Sequence, residues 1–211
     1  MEPEFFKDII DSPEELRSMF NDPSPLVENK VISCMDNHCR EFIAKSPIVF
    51  IATSDSSGNC DVSPRGDAPG FVLVLDENHL VVPERPGNRR FDSLGNIIQN
   101  PKIGLIFIIP GLEETLRLNG KARVIKDKKI LQRLEAYGKV PMIGIGVEVE
   151  EGFIQCAKAF KRSNLWDYRS WPDKDDLPKP SAIIAEHTKK LKLSEAEVAS
   201  SMKESYEKRL Y

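Results

Sequence analysis

Hydrophobic residues follow a helical spacing near the start of the chain. The segment "DSPEELRSMF" places Ser12 and Glu15 around Pro13 as a capping box, and it predicts a helix. The predicted apolar face of this helix consists of Leu16, Met19 and Phe20. After a proline-rich link, Asp36 is placed to cap a second helix. The inward-facing side chains of the second helix are expected to be Cys39, Phe42 and Ile43.

From Pro47 the pattern changes to that of strands. Strands are predicted in "PIVFIATSD", "CDVSPRGD", "GFVLVLD", "HLVVPE", "KIGLIFIIPG", "ETLRLNGKARVIK" and "PMIGIGVEVEE". The run from Lys102 to Gly111 is apolar almost throughout, which indicates a strand covered on both faces. Turn signals such as "SSGN" and "DEN" join most strands as hairpins. This arrangement favours an antiparallel barrel or sandwich over a parallel α/β sheet.

One short helix interrupts the strands, in "RPGNRRFDSLGNIIQN". Its predicted buried face comprises Phe91, Leu94 and Ile98. Gly87 and Asn88 supply a break and a candidate N-cap, so Arg89 and Arg90 fall at the helix start. Cations are unfavourable there, because a helix N-terminus already carries partial positive charge. The two arginines are therefore either solvated or balanced by an anion.

Beyond about residue 171 the chain returns to helical patterns. The connector "WPDKDDL" precedes two helical segments, and Ser194 with Glu197 forms another capping box in the second. Modest apolar faces indicate that both helices pack on the barrel or on a partner subunit. We expect a helical extension (1–45), a barrel domain (46–170) and a C-terminal helical extension (171–211).

Composition and charge narrow the classes of function. The chain has 211 residues with 30 basic and 33 acidic side chains, and its formal net charge is −3. This balance disfavours a general nucleic-acid binder. No apolar run approaches the length of a membrane span, and the acidic N-terminus lacks the features of a signal peptide. A cytoplasmic protein that binds neither nucleic acid nor membrane is expected.

The cysteines and histidines form no clear catalytic or metal motif. The four cysteines include no CxxC pair, and the histidine nearest two of them is His38, beside Cys34 and Cys39. Adjacent residues on a helix point in different directions, so free thiols are favoured over a metal site. No serine–histidine or cysteine–histidine pattern emerges, and catalytic residues stay unassigned.

Four polar clusters interrupt the strand and helix patterns. They are Ser63, Arg65 and Asp67; Asn88, Arg89 and Arg90; Thr115 and Arg117; and Lys158, Lys161, Arg162, Ser163 and Trp166. Arginine holds phosphate through two parallel charge-assisted hydrogen bonds, and a helix N-terminus adds backbone donors. Phosphate binding is one interpretation. Solvated surface is the other, because basic clusters often face solvent.

The order of these segments resembles the pyridoxamine 5′-phosphate oxidase-like superfamily of FMN-binding split barrels. The resemblance runs from "PIVFIATSDSSGNCDVSPRGD" through "RPGNRRFDSLGNIIQNPKIGLIFIIPG" to "ETLRLNGKARV", and it covers roughly residues 40–170. The segments "CAKAFKRSNLWD" and "TLRLNGKA" are similar to a subgroup of these flavoproteins that has no assigned function. The resemblance implies a mainly β fold, a six-stranded antiparallel Greek-key split barrel with flanking helices. It also implies FMN as cofactor and a homodimer with two FMN sites at the subunit interface.

The resemblance further implies a set of cofactor-binding residues. They are Arg65, Gly66, Asp67, Asn88, Arg89, Arg90, Thr115, Arg117, Lys161, Arg162 and Trp166. The first three would lie along the flavin ring and ribityl chain, and the arginine pair would grip the phosphate. Thr115 stands where the oxidase has a flavin-contacting glutamine, and Arg117 follows on the same strand face. The last three would reach the cofactor of the partner subunit.

The chain departs from the named oxidase near its C-terminus. The oxidase binds its substrate phosphate partly through an Arg-x-His element, followed by a closing strand, whereas this chain has the helical pattern "SMKESYEKRLY". We therefore expect an FMN-dependent oxidoreductase of another small molecule, not a typical pyridoxamine phosphate oxidase. A non-catalytic protein that binds or senses FMN, or haem, is the alternative. A structural or nucleic-acid-associated barrel without flavin is disfavoured by the net charge.

Overall fold

The computed structural model describes residues 5–211, which divide into two compact units between Val31 and Ile32. The first unit contains α1 (Pro13–Ser18) and α2 (Pro25–Asn29). Ser12 Oγ accepts a hydrogen bond from the Glu15 amide at 3.1 Å, which confirms the predicted cap. The predicted apolar face of α1 is wrong, because Leu16, Met19 and Phe20 are all exposed. A unit this small has too little apolar surface to bury a helix face.

The second unit is built on one antiparallel sheet. Its strands are β1 (Ile48–Ser54), β2 (Cys60–Gly66), β3 (Leu73–Val74), β4 (His79–Pro83), β5 (Lys102–Ile108), β6 (Thr115–Ile125) and β7 (Gly144–Gln155). They lie in the order β2-β1-β5-β6-β7-β4-β3. The mainly β antiparallel architecture is confirmed and is consistent with a split barrel, in which β2 and β3 are the edges. The barrel implied by the resemblance has six strands, whereas the sheet of the described chain has seven. The segment "GFVLVLD", predicted as a strand, contributes the short β3, which pairs with β4.

Six helices accompany the sheet in the described part of this unit. They are α3 (Asn37–Lys45), α4 (Asp92–Gln99), α5 (Lys128–Gln132), α6 (Lys158–Ser163), α7 (Pro180–His187) and α8 (Glu195–Lys208). Short 3-10 turns lie at Tyr168–Ser170, Lys174–Asp176 and Lys189–Leu191. Asp36 caps α3 and Ser194 forms a capping box with Glu197, as predicted. The predicted domain limits at residues 45/46 and 170/171 stay predictions.

The hydrophobic core lies on one face of the sheet, where α3 and α4 contribute to it. Cys39, Phe42 and Ile43 of α3 are buried there, as the helical spacing predicted. On β5 the alternate residues Ile103, Leu105 and Phe107 are buried, whereas Ile106 on the opposite face is 38% exposed. The prediction that both faces of β5 are covered is therefore wrong for a single chain. The outer face of the sheet is open at this strand.

Candidate functional site

A cleft of about 850 Å³ opens where the sheet fails to close. It is lined by residues of β2, by the loop of residues 83–93 that joins β4 to α4, by residues 139–143 and by Tyr211. β2 is one edge of the sheet, and β4 lies next to the other edge. The cleft therefore occupies the split between two strands that share no backbone hydrogen bonds.

Two ion pairs bridge this split. Arg65 Nε donates to Glu84 Oε2 at 3.2 Å, and Arg85 Nε donates to Asp67 Oδ2 at 2.8 Å. The four side chains are between 3% and 18% exposed. Arg65 and Asp67 come from the end of β2, whereas Glu84 and Arg85 follow β4 directly. Side-chain charges thus connect the two strand ends, and partial burial strengthens each attraction.

The guanidinium of Arg65 is held on several sides by its own chain. Its Nη1 donates to Ser63 Oγ and to the Pro64 carbonyl, and Nη2 lies 3.5 Å from Ser93 Oγ. Ser93 Oγ in turn donates to Asp61 Oδ2 at 2.6 Å. With Glu84 also bound, Arg65 is a fixed donor in the cleft wall and not a free cation.

The two carboxyls in these ion pairs respond to their surroundings in opposite directions. Burial raises the pKa of Glu84, even though the Arg65 guanidinium favours its ionised form. Burial also opposes ionisation of Asp67, but the Tyr211 hydroxyl, the Ala68 amide and the Arg85 guanidinium outweigh it. Together these donors lower the pKa of Asp67. The Tyr211 hydroxyl donates to Asp67 Oδ1 at 2.7 Å, and this bond raises the pKa of Tyr211 to about 12.

The loop before α4 differs from the helix start predicted from the sequence. The helix begins at Asp92, and its N-cap is Phe91, so the prediction of Asn88 as N-cap is wrong. Asn88 Oδ1 instead accepts a hydrogen bond from the Arg90 amide at 3.0 Å. Arg89 and Phe91 both have φ of 59°, a left-handed conformation that costs roughly 1 kcal/mol for non-glycine residues. Phe91, as the N-cap, makes no side-chain hydrogen bond to the first amides of α4 in the described chain.

The buried face of α4 is also displaced from the predicted one. Leu94 is buried as predicted, but Phe91 and Ile98 are exposed. Ser93 and Ile97 take their places against the core. Because the helix starts three residues later than expected, a different set of positions turns inward.

The adjacent arginines of this loop have separate surroundings. Arg90 Nε donates to Asp92 Oδ2 at 2.8 Å, and Arg90 does not line the cleft. Arg89 lines the cleft, and within residues 5–211 its side chain has no hydrogen bond or ion pair. The cleft therefore contains one unneutralised guanidinium beside the uncapped end of α4.

The structure brings some of the predicted site residues together and separates the rest. Those that line the cleft are Arg65, Gly66, Asn88 and Arg89, while Asp67 adjoins it through Arg85 and Tyr211. Those that lie outside its lining are Arg90, Thr115, Arg117, Lys161, Arg162 and Trp166.

The outlying residues have other contacts in the single chain. Thr115 is buried, and the Arg117 guanidinium lies 5.5 Å from the centre of the Phe153 ring. Lys161 pairs with Glu113 at 2.5 Å. Trp166 Nε1 donates to the Leu112 carbonyl at 2.9 Å.

Several cleft residues were not predicted from the sequence. They are Glu84, Arg85, Ser93, Lys139 and Tyr211. The charged pair at the end of "HLVVPER" was a visible signal, because it directly follows a strand. Tyr211 gave no such signal, since its contact with Asp67 joins residues 144 positions apart.

Other kinds of site are not found within the described residues. In residues 5–211, no helix has the length and apolar character needed to cross a membrane. Over the same range, no three histidine, cysteine, aspartate or glutamate side chains lie where they could hold a metal ion. The four cysteines are unpaired.

The fold and cleft define a split-barrel protein with a charged site at the split. The family model of pyridoxamine 5′-phosphate oxidase matches residues 35–154, which is more than half of the chain. The chain therefore belongs to the pyridoxamine 5′-phosphate oxidase family. No curated protein matches it at a significant level of sequence similarity.

The solved structures to which this chain is similar include proteins of different kinds. HupZ of Group A Streptococcus has 18% identity and a TM-score of 0.47, covering 57% of this chain and 93% of HupZ. HutZ, the haem storage protein of Vibrio cholerae, has 16% identity and a TM-score of 0.41, covering 57% and 93%. An FMN-binding protein of Syntrophomonas wolfei has 9% identity and a TM-score of 0.41, covering 56% and 88%.

Proposed function

We propose that this protein binds FMN in the cleft and uses it as an oxidoreductase of a small molecule. The observation that supports this most strongly is the unpaired Arg89 guanidinium beside the uncapped N-terminus of α4. Both features attract a phosphate, since the arginine supplies charge and the helix supplies free amide donors. Membership of the pyridoxamine 5′-phosphate oxidase family supports the same proposal.

The residues of the cleft fit FMN in charge and in size. Among the described residues, four basic and three acidic side chains line it, and the formal charge of these side chains is +1. Its volume of about 850 Å³ lies within the usual range for cofactor sites. The left-handed residues Arg89 and Phe91 turn the chain so that successive amides can form an anion-binding concavity. Strained backbone of this kind is typical of ligand sites.

Each group of residues then has a role in holding the cofactor. Arg89 and the N-terminal amides of α4 would bind the phosphate, and Arg65, fixed by Glu84 and Ser93, would orient the β2 backbone along the rest of the molecule. Bound FMN would supply hydride transfer, which the side chains of the cleft do not themselves provide. The segment 139–143 and Tyr211 would shield that chemistry from water on one side.

A homodimer is part of the proposal. The cross-strand pairs place Pro64, Phe50, Ile106, Arg117 and Phe153 in one row on the sheet. This row is mostly apolar, and its member Ile106 is exposed in the single chain. A second copy covering the row would explain why the sequence of β5 is apolar on both faces. It would also give Thr115, Arg117, Lys161, Arg162 and Trp166 access to the cofactor of the partner.

The alternative of a haem protein has less support from the cleft. Haem iron is usually held by histidine, cysteine, methionine or tyrosine. Of these types, the described lining contains Met142 and Tyr211, and the Tyr211 hydroxyl already donates to Asp67. FMN, which needs no axial ligand, suits these residues better.

A visible absorption spectrum of the purified protein tests the proposal. The protein is measured as purified, and again after incubation with FMN and desalting. Flavin bands that survive desalting support the cofactor site, and their absence in both samples contradicts it. Addition of NAD(P)H then distinguishes an enzyme from a carrier. Bleaching of the flavin and its return with a candidate acceptor support an oxidoreductase, whereas a permanently oxidised flavin supports a non-catalytic binder.

A further inference from the structure

The Glu84 carboxylate forms an ion pair with the Arg65 guanidinium, which faces the cleft. Its Oε2 accepts from Arg65 Nε at 3.2 Å, and the Glu84 side chain is 16% exposed. Both residues line the space assigned above to FMN. A phosphate on the N-terminal amides of α4 would lie next to Ser93, whose Oγ is 3.5 Å from Arg65 Nη2. It would therefore lie beside an arginine whose charge is already neutralised by a partly buried carboxylate.

We propose that Glu84 determines which charged ligands the cleft accepts, because a phosphate binds beside Arg65 only together with a proton that Glu84 holds. This inference rests on the proposed FMN site. The proton comes from solvent and binds to a carboxylate oxygen of Glu84, and no bond of the ligand changes. A ligand without the phosphate, such as riboflavin, would need no proton.

The physical reason is repulsion between like charges in a poorly solvated space. Two anions within a few ångströms cannot both stay ionised when water is excluded, so the weaker acid takes up a proton. Glu84 is that acid, because burial already raises its pKa. Asp67 does not take up the proton, because the Tyr211 hydroxyl and the Arg85 guanidinium hold it ionised despite its burial.

The other charged groups of the cleft have partners of their own or lie on other segments. Arg85, next to Glu84 in the chain, is bound by Asp67. Asp61 on β2 accepts from Ser93, and Asp92 on α4 accepts from Arg90. Lys139, from the segment before β7, donates through Nζ to the Tyr211 main-chain oxygen at 2.6 Å, and Arg89 enters from the loop before α4. Glu84 is thus the carboxylate in direct contact with Arg65.

The test compares wild type with Glu84→Gln, which keeps the shape of the side chain and removes its charge. Dissociation constants for FMN and riboflavin are measured between about pH 5 and 8. Calorimetry in two buffers of different ionisation enthalpy gives the number of protons bound with FMN. We expect wild type to take up as much as about one proton, and its FMN affinity to fall with rising pH. Glu84→Gln should bind FMN about tenfold more tightly near pH 8 and take up no proton.

Two comparisons make the result specific. Riboflavin affinity should be independent of pH in both proteins, because riboflavin brings no anion to Arg65. Glu150→Gln is the matched control, since Glu150 pairs with Lys102 and Lys121 outside the cleft lining, and it should behave as wild type. The second pKa of a phosphate is about 6, and nearby arginines favour its doubly charged form. The phosphate itself therefore releases protons when it binds. Net uptake by wild type alone therefore identifies a carboxyl of the protein, even if the variant does not fold.

The possible failures are distinguishable. FMN binding with the same pH dependence and proton count in wild type and Glu84→Gln would overturn the role of Glu84 and leave the FMN site intact. Net proton release by wild type on binding FMN would also overturn the role of Glu84 and leave the FMN site intact. Absence of FMN binding by either protein at every pH would overturn the FMN site and this inference with it.

Discussion

Arg65 and Glu84 hold each other across the split of the barrel. The 3.2 Å bond between Arg65 Nε and Glu84 Oε2 joins the end of β2 to the end of β4, two strands with four others between them in the sheet. Beside it, Arg85 and Asp67 form the same kind of link with the signs reversed. The charged side chains of these two ion pairs are therefore already neutralised by each other. Arg89 differs from them, because it has no partner in the described chain.

Removal of the Arg89 side chain should weaken FMN binding. Hydrogen bonds to a charged group contribute roughly 1.5–3 kcal/mol, so Arg89→Ala should raise the FMN dissociation constant about 10- to 100-fold. Titration of flavin fluorescence measures this. Arg90→Ala is the control, because Arg90 pairs with Asp92 outside the cleft lining, and its effect should be smaller. Equal losses in the two variants would contradict the distinction between these arginines.

A charge on the outer face of β5 should separate the dimer. Ile106→Glu places a carboxylate in the apolar row formed with Phe50 and Pro64, where a partner would have to bury it. Sedimentation velocity should show a dimer for wild type, with a dissociation constant at least about tenfold higher for the variant. Ser201→Glu on the exposed face of α8 controls for added charge. A wild-type protein that sediments as a monomer with FMN bound would refute the interface.

The bulge between β6 and β7 should tolerate no side chain at Gly120. The register shifts between Asn119 and Gly120, and a Cβ at Gly120 would lie 2.0 Å from the Glu148 carbonyl oxygen. Gly120→Ala should lower the free energy of unfolding by about 3 kcal/mol, measured by urea denaturation. Gly95→Ala is the opposite case, since Gly95 is helical with no atom within 4 Å of the added Cβ. Gly95→Ala should raise the free energy of unfolding by about 0.5–1 kcal/mol. Equal losses of stability in the two variants would show that the close contact at the bulge does not cause the loss in Gly120→Ala.

The ion pair between Asp67 and Arg85 should make stability depend on acid pH. Burial opposes ionisation of Asp67, but Tyr211, Ala68 and Arg85 lower its pKa below the usual 3.8. Its stabilising contribution is therefore present above about pH 4 and is lost as the pH falls through the lowered value. Asp67→Asn should cost about 2 kcal/mol at neutral pH, and the difference from wild type should shrink near pH 3.

Urea denaturation at the two pH values measures the Asp67 effect. Asp76→Asn is the control, because Asp76 also has a lowered pKa but pairs with His79 at the surface, where such pairs contribute little. A loss of stability for Asp67→Asn that does not change with pH would show that packing, not the charge, is responsible.

The elements that the sequence predicted well are those governed by local pattern. Helical spacing placed Cys39, Phe42 and Ile43 of α3 inside, and all three are buried. The caps at Asp36 and Ser194 formed because their side chains reach amides three residues ahead. The helix after Asn88 was predicted too early, because nothing local requires a left-handed Arg89 or Phe91.

The sequence by itself therefore determined the strands, most helices, the family and four residues that line the cleft, because side-chain periodicity and motif order are local properties. Tertiary structure alone decided which arginine is free. Arg65 is bound by Glu84, 19 positions away, whereas Arg89 has no partner within residues 5–211, although both are arginines in polar loops. It also brought Tyr211 to Asp67. Such pairings arise only when the sheet curls and brings distant strand ends together, and no spacing along the chain encodes that distance.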